Sequence, residues 1–341
     1  MYLRFAVSLA VLGALPMAAA DPFAQNRILG RAINLPGVFD RNPDRGPIPD
    51  PPLKPEYFRK MKDAGFQSVR LVIRWSSYAA TDAPYKIDSD FQRKVDWAVE
   101  QCLANKLAVL LDFHYYPLIS FTGRETSTED PKKNRERFLA LWTQLEDHYK
   151  NSPPQVMFGL LNEPSRQNLG TEGWNALVAE TLPIMRRHNP DRTILIQSAN
   201  GGGFGSLEGL KIPAAERNAI VEVHYYSPGK FTHQQAPWSN DRIYKDILWT
   251  GTDEEKKPIT DDFAKVAAWA KKNNRPIYLG EFGAYRAADM PSRARWTAFI
   301  ARTAEQLGMS WAYWGFWRCG FDVFDAQTET FTEPLLKALV P

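Results

Sequence analysis

Eight short runs of apolar, β-branched and aromatic residues, separated by stretches of helical character, narrowly restrict what this 341-residue chain can become. The runs are 28–35, 68–75, 107–116, 155–162, 193–198, 219–226, 276–282 and 310–317. Each is nearly continuous in apolar residues, as a strand covered on both faces must be. Between most of them lie segments that open on an Asp, Thr or Ser cap or on a first-turn Pro. These are 55–64, 88–105, 130–150, 171–188, 260–273 and 291–307, with a short last helix at 333–339. Segment 201–218 is the exception, since its Gly and Pro residues leave room for only a turn or two. No Pro/Ser/Gly linker divides the series. The pattern predicts the α/β class and a single closed (β/α)8 TIM barrel rather than an open sheet.

The first residues bear on the compartment. Arg4 precedes an apolar run, 5–17, that ends in Ala18-Ala19-Ala20 before Asp21. The run has no polar face for a buried amphipathic helix and is shorter than the ~20 residues of a membrane span. It has the form of a signal peptide, residues 1–20, cleaved near Ala20/Asp21, with 21–341 as the mature (β/α)8 domain. A secreted or periplasmic protein is expected, without membrane attachment once the leader is gone, and as a monomer. Lys plus Arg number 42 against 39 Asp plus Glu, with no basic run, so no nucleic-acid partner is indicated. Two Cys outside any C-x-x-C pair cannot build a metal cluster by themselves. Cys102 falls late in the helix leading into strand 3, and Cys319 follows strand 8 at the opposite end of the barrel. A helix of that length spans roughly 25 Å, and a disulfide needs Cα atoms within ~7 Å. Both thiols are expected to be free.

In such a barrel the chemistry lies at the C-terminal ends of the strands. Strand 2 carries Arg70 and Arg74. Strand 3 ends Asp112-Phe113-His114-Tyr115-Tyr116, strand 4 Asn162-Glu163-Pro164, strand 6 His224-Tyr225-Tyr226 and strand 7 Gly280-Glu281-Phe282; strand 8 carries Trp311, Trp314 and Trp317. Period-two alternation places Ile277, Leu279 and Glu281 on one face, and likewise His224 with Tyr226 and Asp112 with His114. Glu163 and Glu281, on strands 4 and 7, face each other across the mouth. Two such carboxyls, one protonated and one ionised, are what cleavage of a glycosidic bond requires.

The chain resembles the cellulase-type retaining enzymes of glycoside hydrolase family 5. The resemblance is carried by Asn162-Glu163-Pro164 and by Glu281 in Leu279-Gly280-Glu281-Phe282-Gly283. Ser68-Val69-Arg70, Asp112-Phe113-His114, His224-Tyr225-Tyr226 and Trp311-Ala312-Tyr313-Trp314 support it. It implies an endo-acting β-1,4-glucanase working by double displacement, with Glu163 as acid/base and Glu281 as nucleophile. It further implies that Asn162 holds the sugar 2-hydroxyl and that Arg70 and Tyr226 orient the nucleophile. His114 and His224 would bind hydroxyls or tune the pair, and Trp314 would stack on the sugar. The family often has Pro two residues after the strand 2 arginine. Val72 stands there instead, and Arg74, nearer the rim, is the alternative to Arg70.

No cofactor is implied. Asp112 and His114 form an i, i+2 pair of ligand type, but metal hydrolysis needs a further cluster, and pairing of Asp112 with Arg70 is expected instead. Glu222 faces the barrel interior, where a lone charge is costly, so it needs Arg31 or Arg70. Trp142, Trp269 and Trp296 fall in amphipathic helices and read as core, whereas Trp75, Tyr78, Trp174, Trp238 and Trp249 read as rim aromatics, about half of them sugar-binding. Gly201-Gly202-Gly203 reads as a tight turn, without the pattern of a phosphate loop. The same frame serves mannan, xyloglucan and mixed-linkage or β-1,3-glucan, and loops 36–54 and 229–257 are expected to set that choice. A catalytically silent polysaccharide-binding barrel is the alternative from another class, and trimming of the cell's own exopolysaccharide an alternative biology.

Overall fold

The computed structural model describes residues 21–42, 52–114, 116, 119, 130–165 and 169–341. The expected signal peptide and residues 43–51 of the first rim loop lie outside them. Eight parallel strands close into a barrel in sequence order: β1 (Arg31–Leu35), β2 (Ser68–Ile73), β3 (Ala108–Phe113), β4 (Val156–Gly159), β5 (Ile194–Gln197), β6 (Ala219–His224), β7 (Ile277–Phe282) and β8 (Ser310–Tyr313). Strand β8 pairs back onto β1. The helices are α1 (Pro22–Leu29), α2 (Pro55–Asp63), α3 (Ser89–Ala104), α4 (Pro131–His148), α5 (Gly170–Met185), the single turn α6 (Gly229–Thr232), α7 (Asp253–Asn273), α8 (Met290–Gln306) and α9 (Glu333–Leu339). Each expected strand is present, and 201–218 holds only a 3-10 stretch, Phe204–Gly209.

Two helices depart from the sequence reading. The apolar start of the first run belongs to α1, not to β1. Asp21 caps α1 through hydrogen bonds from the Phe23 and Ala24 N–H groups, and Gly30 ends it. Its Leu29 joins Ala32, Leu110, Met157, Leu195, Ile220, Tyr278 and Ala312 in the small inner core, so α1 closes the barrel floor. Helix α7 begins at Asp253 because Thr252 and Glu255 form a capping box that outweighs Pro258 within the helix. A much larger apolar shell lies between strands and helices.

Inner and outer positions alternate as expected except in β7. Tyr278 belongs to the inner core, whereas Ile277 and Leu279 pack outward with the helices. Strict alternation would send Glu281 outward too. The register of β6 against β7 shifts after Val223, however, so that His224 pairs with Glu281. The irregularity turns the carboxylate into the mouth, as strand bulges near active sites commonly do.

Both cysteines are free, Cys102 buried under α3 and Cys319 beside the mouth, where its N–H is held by Asp322 at 2.9 Å. Thiol titration of the denatured, unreduced protein should count two; a count of zero in the monomer would contradict the strand register.

Candidate active site

The buried guanidinium of Arg70 organises the mouth. It forms ion pairs with Asp112 (3.1 Å), Glu222 (3.0 Å) and Glu281 (3.0 Å) and donates to Asn34 Oδ1 (2.9 Å) and Asn162 Oδ1 (2.7 Å). Burial disfavours its charge, but the three carboxylates outweigh that and raise its proton affinity. Of the two arginines considered, Arg70 is therefore the one on Glu281; Arg74 lies beyond the end of β2, where its N–H binds Phe39 O. Both expected partners of Arg70, Asp112 and Glu222, are in place, and Arg31 pairs with Glu305 instead.

Glu281 receives Arg70 on Oε1 and the Tyr226 hydroxyl on Oε2 at 3.0 Å. Burial pushes its proton affinity above the ordinary carboxylate value, while His224 and Arg70 pull it back. Glu163 follows β4 in a left-handed conformation, φ 46°. Its carboxylate accepts from His224 Nδ1 at 3.0 Å, and its side chain is 22% exposed against 6% for Glu281. One carboxylate oxygen of Glu163, one of Glu281 and a ring nitrogen of His224 lie within 4.8 Å of one another.

The two histidines have opposite charge states. For His224, burial opposes protonation, but Glu281, Glu163 and Glu222 raise its pKa to about 10. Its two N–H groups point at Glu163 and, at 3.3 Å, at Glu222. The His224 Nδ1–Glu163 hydrogen bond at 3.0 Å accounts for the closeness of this grouping. For His114, burial pushes the pKa down to about 3. The neutral ring donates from Nδ1 to Asp112 at 2.8 Å and presents Nε2 to the Asn162 amide at 3.5 Å. Trp314 stacks on His114, with centroids 5.7 Å apart and planes at 12°.

The structure thus brings together Arg70, His114, Asn162, Glu163, His224, Tyr226, Glu281 and Trp314. Two further polar residues, Asn34 and Gln197, went unread in the sequence. Asn34 donates to Gly280 O at 2.8 Å, and Gln197 reaches Glu163, Asn162 and Glu222. Each is an inward polar residue in an apolar strand, which is the signal that could have flagged it. The rim aromatics mostly fail as a group. Trp75, Trp174 and Trp249 are buried, and Trp174 lies in α5 with its indole N–H on Gln197 O. Tyr78 is stacked on Phe91, and of the five Trp238 is the well exposed one. Trp142, Trp269 and Trp296 are core, as expected.

A closed parallel barrel with two facing carboxyls at its C-terminal mouth defines the class, a (β/α)8 glycoside hydrolase. The chain belongs to the cellulase family, glycosyl hydrolase family 5, which matches residues 47–320. Endoglucanase H of Acetivibrio thermocellus is 29% identical over 326 residues, covering 94% of this chain and 34% of that protein. The chain therefore spans about a third of that relative's length. Endoglucanase Cel5A of Thermotoga maritima is similar in structure, with a TM-score of 0.86 at 42% identity, covering 94% of this chain and 100% of that one. The cellulose synthase subunit CcsZ of Clostridioides difficile gives 0.84 at 33% identity, covering 92% and 100%.

Replacing Arg70 by Met should leave three buried carboxylates facing one another without their cation. A loss of about 3–5 kcal/mol is expected, read from urea unfolding at pH 7 and smaller at pH 5, where the carboxyls can take up protons.

Proposed function

We propose that this protein is a secreted, retaining endo-β-1,4-glucanase with Glu281 as nucleophile and Glu163 as acid/base. The observation that carries the assignment is the carboxyl spacing. One oxygen of each carboxyl within 4.8 Å is closer to the ~5–5.5 Å spacing of retaining enzymes than to the ~6.5–9.5 Å of inverting ones. The roles follow from the surroundings. Glu281 is locked by Arg70 and Tyr226, which favour its anion and aim it at the anomeric carbon. Glu163 is the more open of the two and can exchange its proton with a leaving oxygen and then with water. Glu281 attacks the anomeric carbon while Glu163 protonates the departing sugar. Water, deprotonated by Glu163, then releases the glycosyl group with net retention.

Asn162 has its Oδ1 occupied by Arg70 and Gln197 and one amide hydrogen toward His114 Nε2, leaving the other for a sugar hydroxyl. Trp314 offers a partly exposed ring for stacking, and Trp238, 49% exposed and edge-on to Tyr285, offers a second platform further along the cleft. Secretion rests on the leader-like residues 1–20; among the described residues no helix is long and apolar enough to cross a membrane. Cel5A of T. maritima is described in complex with cellobiose and with mannotriose, which makes mannan the second substrate to try.

A product profile on soluble β-glucans and mannans tests the substrate. Fast viscosity loss on β-1,4-glucan is expected, and release of short ends alone would overturn the endo assignment. Glu281→Gln should abolish glycosyl-enzyme formation. Glu163→Ala should keep activity on activated aryl glycosides, with azide rescuing product formation. Initial product of inverted anomeric configuration, seen by NMR, would exclude the retaining mechanism.

The pH profile of kcat/KM should be bell-shaped. Glu281 must be ionised, and because burial raises its pKa above the ordinary 4.5, activity should fall as the pH drops through a midpoint above that value. Tyr226→Phe removes a hydrogen bond to the anion, so the acid limb should move to still higher pH.

A further inference from the structure

Two buried side chains beneath the catalytic pair take no part in the reaction just described. Gln197, at the end of β5, is 1% exposed and uses both ends of its amide. Oε1 accepts the backbone N–H of Glu163 at 2.7 Å, and Nε2 donates to Asn162 Oδ1 at 3.2 Å and Glu222 Oε1 at 3.0 Å. Glu222 in turn lies on Arg70 and under His224 Nε2. The neighbouring backbone is bare where these two side chains pass. A Cβ on Gly202 would sit 2.9 Å from Gln197 Oε1, and one on Gly280 would sit 2.1 Å from Glu222 Oε1.

We propose that Gln197 and Glu222 are positioning residues for Glu163. Gln197 pins its main chain in the left-handed conformation, and Glu222 holds His224 from below so that the opposite ring nitrogen directs its N–H at the Glu163 carboxylate. The inference rests on the reading of Glu163 as acid/base. A left-handed residue bearing a Cβ is unfavourable in itself, and Gln197 supplies the hydrogen bond that offsets this.

The electrostatic half has a definite sign. His224 is faced by Glu163, Glu281 and Glu222, with Arg70 behind Glu222 and Glu281. Asp112, His114, Tyr226 and Tyr278 complete the surrounding titratable groups, and His233 lies near enough to Glu163 to feel its charge. Neutralising Glu222 removes one of the three carboxylates that keep the imidazolium charged. Nδ1 of that cation is 3.0 Å from Glu163 and 3.6 Å from Glu281, whereas Glu222 touches the far side of the ring. Glu222 thus helps hold the imidazolium charged from the side opposite the catalytic pair, and without it the ring discharges at lower pH.

The test uses aryl β-cellobiosides with a good (2,4-dinitrophenyl) and a poor (phenyl) leaving group. In Gln197→Met the kcat/KM ratio between them should widen about tenfold, part of the ~10²–10⁴ a general acid contributes. In Glu222→Gln the His224 imidazolium should discharge roughly one unit lower than in the wild type, the low end of what loss of an adjacent opposite charge produces. Ring nitrogen shifts in NMR should show His224 losing its second proton at lower pH than in the wild type. A folded Gln197→Met with the wild-type ratio, or a folded Glu222→Gln with unmoved His224 titration, overturns the proposal. Should Gln197→Met not fold, Gln197→Ser removes the same bond and is read the same way. Should Glu222→Gln not fold, the wild-type ring decides, since a His224 neutral at pH 7 overturns that half. Glu163→Ala is the separate control: if it leaves the leaving-group ratio unchanged, the acid/base assignment has failed, independently of both positioning residues.

Discussion

The mouth of this barrel depends on one buried cation. Arg70 reaches from β2 to Asn34 on β1, Asp112 on β3, Asn162 just past β4, Glu222 on β6 and Glu281 on β7. Removing such charges from water costs several kcal/mol per ion, and only close, multiply hydrogen-bonded geometry recovers it. Each carboxylate is therefore tolerable only where the guanidinium can touch it. That requirement ties the positions of strands far apart in sequence to the position of a single side chain, and it fixes Glu281 more firmly than its own strand does.

The same arrangement explains how two histidines a few ångströms from the same carboxyls can differ so much. His114 has Asp112 as its direct carboxylate partner, and burial raises the pKa of that acid to about 7 even with Arg70 opposing. Little negative charge is left over to hold a second proton on the ring. His224 stands among three carboxylates, Glu163 and Glu281 on its Nδ1 side and Glu222 on its Nε2 side. One imidazole therefore accepts a hydrogen bond from Asn162 while the other donates to both its neighbours. A cleft that must grip sugar hydroxyls and also steady an anion uses both kinds.

Most of the architecture was legible because a buried parallel strand has so little freedom in composition. Eight apolar runs with polar residues gathered at one end leave few alternatives, and the residues at those ends proved to be neighbours. What escaped has identifiable causes. The apolar Ile28 and Leu29 look the same in a strand as at the end of a short helix, and only the Asp21 cap distinguishes them. Alternation in β7 pointed Glu281 to the correct side for the wrong reason, since Ile277 and Leu279 face the other way and a register shift restores the carboxylate. Trp174 and Trp249 sit in segments next to the rim, but sequence position carries no information about which way an indole turns. Gln197 was invisible for a different reason: an amide at a strand end has no chemistry of its own until its partners are known.

Gly280 and Glu222 also constrain how this chain can change. With 2.1 Å between a hypothetical Cβ and the carboxylate oxygen, a side chain at 280 would force Glu222 out of its contacts with Arg70, Gln197 and His224. The reverse order is open, since shortening 222 first would vacate the space. Drift at these two positions is therefore coupled, and a descendant with a side chain at 280 has surrendered either its acid at 222 or those contacts.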